Sequence, residues 1–234
     1  MNIVSYNIRG VGSPLKRKLL SSLIRKESFD FCLLQETKLT HCSDRIIFEL
    51  WGGTDVEWYF KASVGNSGGL IILWKKGVFY PHFSFEGEGF VGVSGIWNDR
   101  LVYIVNVYSS CFFVKKKAMW KALEGCKVRF PSGDWLLGGD FNAIRVEEER
   151  KSARGVVNKR EMEVFNLFIE KMELADPSII GKKFTWFSVD GSAMSRLDRF
   201  LLSESLMEAW NVGGKWWALE IFWIIVRFGL KRMV

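Results

Sequence analysis

The strongest constraint on the fold of this chain is a set of short apolar runs, each closed by a small polar group. In Trp135-Leu136-Leu137-Gly138-Gly139-Asp140-Phe141-Asn142-Ala143-Ile144 the apolar residues at the start are consecutive and show no helical period. Phe31 to Leu34 and Gly68 to Trp74 have the same character. Such runs fit strands buried on both faces, which need structure packed above and below them. Gly138 and Gly139 let the backbone bend or approach a neighbour closely. Beyond them, Asp140 and Asn142 stand two residues apart, so in extended chain their side chains project to one side. A carboxylate beside an amide suits a water, a metal or a phosphate. It equally suits an Asx-turn, in which the pair satisfies its own backbone.

Further polar groups stand at expected strand ends. Asn7 closes a strand over 3–7, and Gln35-Glu36-Thr37 follows the strand over 29–34. Asn106-Val107-Tyr108 closes a third strand, and Ser195-Arg196-Leu197-Asp198-Arg199 opens a fourth. Between them the chain alternates. Ser13 and Pro14 start a helix as N-cap and first-turn residue, with Leu15, Leu19, Leu23 and Ile24 as its packing face. Lys16, Arg17 and Lys18 then form its solvated face or meet phosphate. Residues 91–97 and 101–108 read as a hairpin about Asn98-Asp99. Lys115 to Leu123 reads as a helix with Met119, Trp120 and Leu123 inward. Lys115, Lys116 and Lys117 are its outer face or a weak phosphate contact.

Residues 147–158 are a charged loop in which Arg150, Lys151 and Arg154 either touch a nucleic-acid backbone or are solvated. Asn158 and Glu161 look like a capping box opening a helix with Met162, Phe165, Ile169 and Met172 as its stripe. Residues 183–189 and 194–202 flank the turn signal Asp190-Gly191, and Ser203 caps a last short helix ending near Trp210. Helices alternating with strands early, and hairpins later, predict a mixed two-sheet core with helices outside.

Length and charge limit the function classes. The chain has 234 residues, 48% of them hydrophobic, which fits one large α/β domain or at most two small ones. Net charge +7 and a pI near 9.2 favour a polyanionic partner. Four cysteines without a CxxC or Cys/His cluster predict a reduced, intracellular protein without structural zinc, with Cys32 an inert core thiol. Polar residues interrupt the first twenty positions, so no signal peptide is expected. The apolar stretch 216–230 contains Glu220 and Arg227 and is shorter than a membrane span needs. No membrane partner is expected.

Gln35-Glu36-Thr37, Gly139-Asp140-Phe141-Asn142 and Arg196-Leu197-Asp198, in this order and with Asn7 ahead of them, resemble the endonuclease/exonuclease/phosphatase superfamily over residues 1 to about 210. Lys183-Phe184-Thr185-Trp186 and the stretch Met194 to Ser203 carry a narrower likeness, to the endonuclease domain of plant non-LTR (LINE-type) retrotransposons. The resemblance implies an α/β (α+β) fold, a four-layer sandwich of two mixed β-sheets flanked by helices, with the site at one edge between the sheets. It implies a nuclear, Mg²⁺- or Mn²⁺-dependent hydrolase acting on DNA, once accompanied by a reverse transcriptase domain. Glu36 would hold the metal, with Asn7 positioning it. Asp140 would orient or deprotonate the attacking water, Asn142 would hold the phosphate, and Tyr108 would donate to it. Asp198 matches the position that orients a catalytic histidine; alternatively it pairs with Arg196 or Arg199. A phosphatase of the same superfamily, acting on lipid or inositol phosphates, and a non-catalytic nucleic-acid-binding remnant are the competing readings.

The chain departs from the family at its end. Its two histidines, His41 and His82, read as surface residues outside any Ser-Asp-His context. Residues 211–234 form an atypical tail whose codons bear on the loss. Trp223 is TGG and Ile224 begins AT, so the phase starting on third bases reads Asp there. The next triplet reads His when the Ile224 codon ends in C. That phase admits apolar-Leu-Asp-His-Cys-Pro-Ile-Trp, similar to the family's closing Ser-Asp-His-x-Pro-Ile. A frameshifted relic is one reading of the tail, with its Trp and Ile side chains left as an exposed patch; a genuine apolar strand or helix is the other.

Overall fold

The structure, a computed structural model, describes residues 1–65, 67–152, 157–177, 183–209, 216–219 and 223–227, the last two segments by backbone course alone. Sheet A holds β1 (Asn2–Asn7), β2 (Phe31–Gln35), β3 (Val56–Val64), β4 (Ser67–Lys75), β14 (Trp216–Leu219) and β15 (Trp223–Arg227), in the order β14-β15-β1-β2-β4-β3. Sheet B holds β5 (Tyr80–Gly87), β6 (Phe90–Trp97), β7 (Arg100–Tyr108), β8 (Asp134–Asp140), β10 (Leu174–Ala175) and β13 (Asp198–Ser203), in the order β10-β13-β8-β7-β6-β5. Each sheet contains one parallel pair, β1 with β2 and β7 with β8, and is otherwise antiparallel. Helices make those two parallel crossovers: α1 (Pro14–Glu27) in sheet A and α3 (Phe113–Arg129) in sheet B.

Consecutive apolar residues feed two cores at once. On β2, Phe31 and Leu33 enter the layer between the sheets, while Cys32 and Leu34 face α1 and α2 (Asp44–Trp51). On β8, Leu136 points between the sheets, and Trp135 and Leu137 pack towards α3 and α4 (Lys159–Lys171). The four-layer sandwich of two mixed sheets flanked by helices is therefore the fold. Gly138 shows why the sheets can approach: a Cβ there would lie 2.4 Å from the Phe200 ring and 2.7 Å from Leu33.

Several local expectations need correction. On α1 the buried residues are Leu20, Ser21 and Ile24, while Leu15 and Leu19 are 65% and 58% exposed. The helix is rotated from the predicted face because Lys16 and Arg17 turn inward. Lys16 Nζ donates to the carbonyls of Ile8 and Arg9 at 3.0 Å, and Arg17 bonds the Val11 carbonyl and Glu49. The stretch 194–202 is two strands. β12 (Ala193–Ser195) pairs with β11 (Trp186–Phe187) and β9 (Arg150–Ser152) in a small third sheet, and β13 joins sheet B. The expected loop over 147–158 thus contains a 3₁₀ turn (Glu147–Glu149) and β9, and Arg154 lies outside the described residues. Ser203 spends its hydroxyl on the Trp135 main chain, at 2.7 Å from its N–H, just before α5 (Glu204–Ala209). The hairpin about Asn98-Asp99 forms as expected, with both residues at positive φ. Residues 223–227 run as a strand beside β1, and 216–219 pair with that strand on its outer side. The exposure of the tail's Trp and Ile side chains lies outside the described residues. Among those residues no helix is long and apolar enough to cross a membrane.

Candidate active site

The ends of β1, β2, β7 and β8 and the start of β13 meet at one edge of the sandwich. They deliver Asn7, Glu36, Tyr108, Asp140, Asn142 and Asp198 to a common depression. A cleft of about 530 Å³ is lined by Asn7, Glu36, Tyr108, Asp140 and Asn142. A side recess of about 180 Å³ adds Asp198, together with Arg9, Lys16, Thr185 and Trp186. All six residues singled out in the sequence are thus brought together. Gln35 and Asn106, also at strand ends, are fully buried instead. They bridge the sheets through Gln35 Nε2 to Asn106 Oδ1 at 2.6 Å, and Asn106 Nδ2 reaches the Leu34 and Ile71 carbonyls at 2.9 Å each.

Glu36 is held by two donors, Asn7 Nδ2 at 3.0 Å and the Tyr108 hydroxyl at 2.9 Å, both on Oε1. Burial raises the Tyr108 pKa, and the bond to Glu36 raises it further, so the phenol keeps its proton and remains a donor. Glu36 and Asn142 adopt left-handed backbone with φ of 51° and 50°. That conformation is disfavoured for residues with a Cβ, and polar side chains tolerate it best. The Asx-turn anticipated at 140–142 is present, with the Asn142 N–H donating to Asp140 Oδ1 at 2.9 Å. Turn and cleft are the same structure.

Asp140 and Asp198 face each other across the β8–β13 ladder. Burial pushes the Asp140 carboxyl up to about 6, and the Glu36 charge adds to this; bonds from Asn142 and Asn7 oppose it. Burial also raises Asp198 well above the carboxylate range, and the Asp140 charge next to it pushes the same way. Thr185 Oγ1 accepts the N–H groups of Leu197 and Asp198 at 3.0 Å each, which fixes the start of β13. Arg196 and Arg199 direct their hydrogen bonds to Glu149 and Asp176, at 2.7–3.3 Å, rather than to Asp198. This buried cluster ties the 3₁₀ turn and the segment at Asp176 to β13.

Lys116 departs most from expectation. It is 4% exposed, not part of an outer face, and its Nζ donates to the Asn142 carbonyl and to Glu161 Oε1, the latter at 2.6 Å. The KKK run hid this, because helical spacing puts a residue next to Met119, Trp120 and Leu123 inward whatever its charge. Glu161, meanwhile, donates its N–H to the N-cap side-chain oxygen of Asn158 at 3.1 Å, but its carboxylate accepts from Lys116, so only half of the capping box forms. His41 and His82 are exposed and line neither the cleft nor the recess.

The oxygens of Glu36 and Asn7 suit a hard divalent cation that keeps several waters. Among the described residues no group of three or more Asp, Glu, His and Cys is placed to hold an ion by itself.

The same fold occurs in solved structures at low identity. The AP endonuclease LMAP from Leishmania major matches with a TM-score of 0.72 and 14% identity, over 97% of this chain and 87% of that one. The endonuclease domain of TRAS1, a telomere-specific non-LTR retrotransposon, matches with 0.71 and 11%, over 100% and 99%. The 3′-5′ exonuclease NExo from Neisseria meningitidis matches with 0.72 and 16%, over 98% and 100%. A further Neisseria NExo structure, of the 3′ phosphatase, is bound to a product DNA hairpin. The sequence model of the Endonuclease/Exonuclease/phosphatase family matches residues 4–223, a span that begins in β1 and takes in every strand end of the cleft. The chain belongs to the endonuclease/exonuclease/phosphatase family.

Proposed function

We propose that this chain is a Mg²⁺- or Mn²⁺-dependent DNA endonuclease domain of plant non-LTR (LINE-type) retrotransposon origin, in a copy impaired by loss of the closing Asp-His pair. The observation that carries the reading is the anchored Glu36 carboxylate opposite Asp140 and Asn142 in one cleft. The net charge of +7 and the DNA-processing neighbours support a DNA substrate. Work on genomic DNA would place the protein in the nucleus.

Asp140, with its pKa raised to about 6, is largely ionised at neutral pH and still basic enough to accept a proton from an attacking water. Asn142 offers its amide to a phosphate oxygen. Tyr108 gives its one hydroxyl proton to Glu36 and so holds that carboxylate in place instead of donating to the phosphate. A cation bound at Glu36 beside Asn7 would neutralise charge on the phosphate and the leaving oxygen. Asp198 has no imidazole to orient in the described cleft, so the phosphate loses one donor. The same observation favours a second reading, a DNA-binding remnant without turnover.

Nicking of supercoiled plasmid with Mg²⁺, Mn²⁺ or EDTA tests the proposal, run beside phosphate release from lipid and inositol phosphates. Slow nicking abolished by EDTA is expected. Phosphate release without nicking selects a phosphatase, and salt-sensitive DNA binding without cleavage selects the remnant. The gene decides the origin of the tail, residues 211–234: an Ile224 codon ending in T or A rejects the frameshift.

A further inference from the structure

Lys116 is a buried ammonium with two partners, and both belong to the neighbourhood of the cleft. A lysine taken out of water is costly unless it is paired and hydrogen-bonded. Here Glu161, in the first turn of α4, supplies the counter-charge, and the Asn142 carbonyl supplies a second acceptor. Asn142 is held from the other side as well, since its N–H donates to Asp140. Its main chain is therefore held at both ends in a left-handed conformation, φ 50°, which asparagine tolerates better than most residues with a side chain. The neighbouring lysines behave differently: Lys115 is exposed and pairs with Glu88, and Lys117 is exposed. Only the middle cation of the run is drawn in.

We propose that Lys116 is a positioning residue, which together with Glu161 clamps the Asn142 main chain so that the Asn142 amide meets the substrate phosphate. The assignment rests on the phosphodiesterase reading above for its consequence, and on the geometry alone for the clamp. α3 and α4 thereby reach the site, with Lys116 and Glu161 on the wall of the cleft, and the two outer helices of sheet B become part of the positioning apparatus.

The test uses the full chain and the variants Lys116→Met, Lys116→Arg, Glu161→Gln and Asn142→Ala. In Lys116→Met, kcat for plasmid nicking should fall by roughly 10–100-fold with KM nearly unchanged, the scale of a small misplacement of a reacting group. Lys116→Arg, which restores charge and donors, should recover to within about 3-fold, a small residual geometric error of the same kind. In the Asn142→Ala background Lys116→Met should cost nothing further, because its effect passes through that amide. Additive losses, or no rescue by arginine, would overturn the proposal. Amide hydrogen exchange reads the clamp without turnover: Asn142 should exchange roughly tenfold faster in Lys116→Met and in Glu161→Gln, while the β8 amides keep their protection. Unchanged exchange at Asn142 sinks the clamp even if nicking is robust. Faster exchange in a chain that nicks nothing sinks the nuclease reading instead. A Lys116→Met chain that fails to fold leaves the arginine and Glu161→Gln variants to decide.

Discussion

Asp140 occupies a place that disfavours its charge. Burial raises its folded pKa to about 6, above the value of about 4 expected in the unfolded chain. The folded state therefore binds the proton more tightly, and the stability it contributes is lost as pH rises from about 4 through about 6. Asp140→Asn, studied in EDTA, should raise stability at pH 7.5 by on the order of 1–2 kcal/mol and remove the corresponding slope. Urea unfolding at pH 4, 6 and 7.5 measures it, and a destabilised variant at pH 7.5 would contradict the direction. The same variant should abolish nicking. Glu36→Gln keeps the shape of the Asn7 and Tyr108 contacts while removing the charge. Calorimetry should show Mg²⁺ or Mn²⁺ affinity falling at least tenfold on the scale of a lost ligand, and equal affinity would reject Glu36 as the metal residue. At this scale the sequence was informative where a polar residue followed an apolar run, as with Asn7, Glu36 and Asp140. It was uninformative for Lys116, because charge alone points outward and the partners, Asn142 and Glu161, lie 26 and 45 positions away.

The elements show where periodicity stops being enough. Strands buried on both faces were legible because β2 and β8 feed two cores with consecutive apolar residues. The face of α1 was not, because its rotation is set by Lys16 and Arg17 capturing carbonyls of the β1–α1 loop. Leu15→Gln and Leu19→Gln should each change stability by less than about 0.5 kcal/mol, whereas Leu20→Ala should cost about 2–5 kcal/mol. Thermal or urea unfolding ranks them, and a large loss at Leu15 would place the helix differently. The join between β12 and β13 was also hidden, since the turn signal at Asp190-Gly191 says nothing about the buried ion cluster behind it. Arg199→Leu should cost about 3–5 kcal/mol by removing the fully buried one of the two arginines that pair with Glu149 and Asp176 and leaving both carboxylates to Arg196. Glu149 has a lowered pKa: burial opposes the shift, and the charges of Arg199 and Arg196 with hydrogen bonds to Arg199 and Arg145 outweigh it. Its stability contribution is present above the unfolded carboxylate range and lost as pH falls through the folded value. Acid unfolding should therefore move to higher pH in Arg199→Leu; an unmoved midpoint would mean the cluster contributes little.

Across the whole molecule, the cleft exists only where the two sheets are in register with each other. Gln35 and Asn106 pin that relation, joining β2 to β7 and reaching the β4 main chain at Ile71. Asn106→Leu should therefore impair nicking more than its stability loss explains, by shifting Glu36 relative to Tyr108; a variant with parent kcat would argue against such a pin. The fold class was legible from alternating runs, but strand order was not. β1, the first strand in the sequence, lies inside sheet A because β15 covers one edge of it. Asn2 pairs with Arg227, across nearly the whole chain. That pairing has a consequence in time. During synthesis β1 leaves the ribosome well ahead of β15, its second neighbour, which follows roughly 10–40 s later at ordinary elongation rates. For that interval Asn7 rides on an open-edged strand, the kind of surface that recruits other chains, and this edge is closed to them only once β15 has paired.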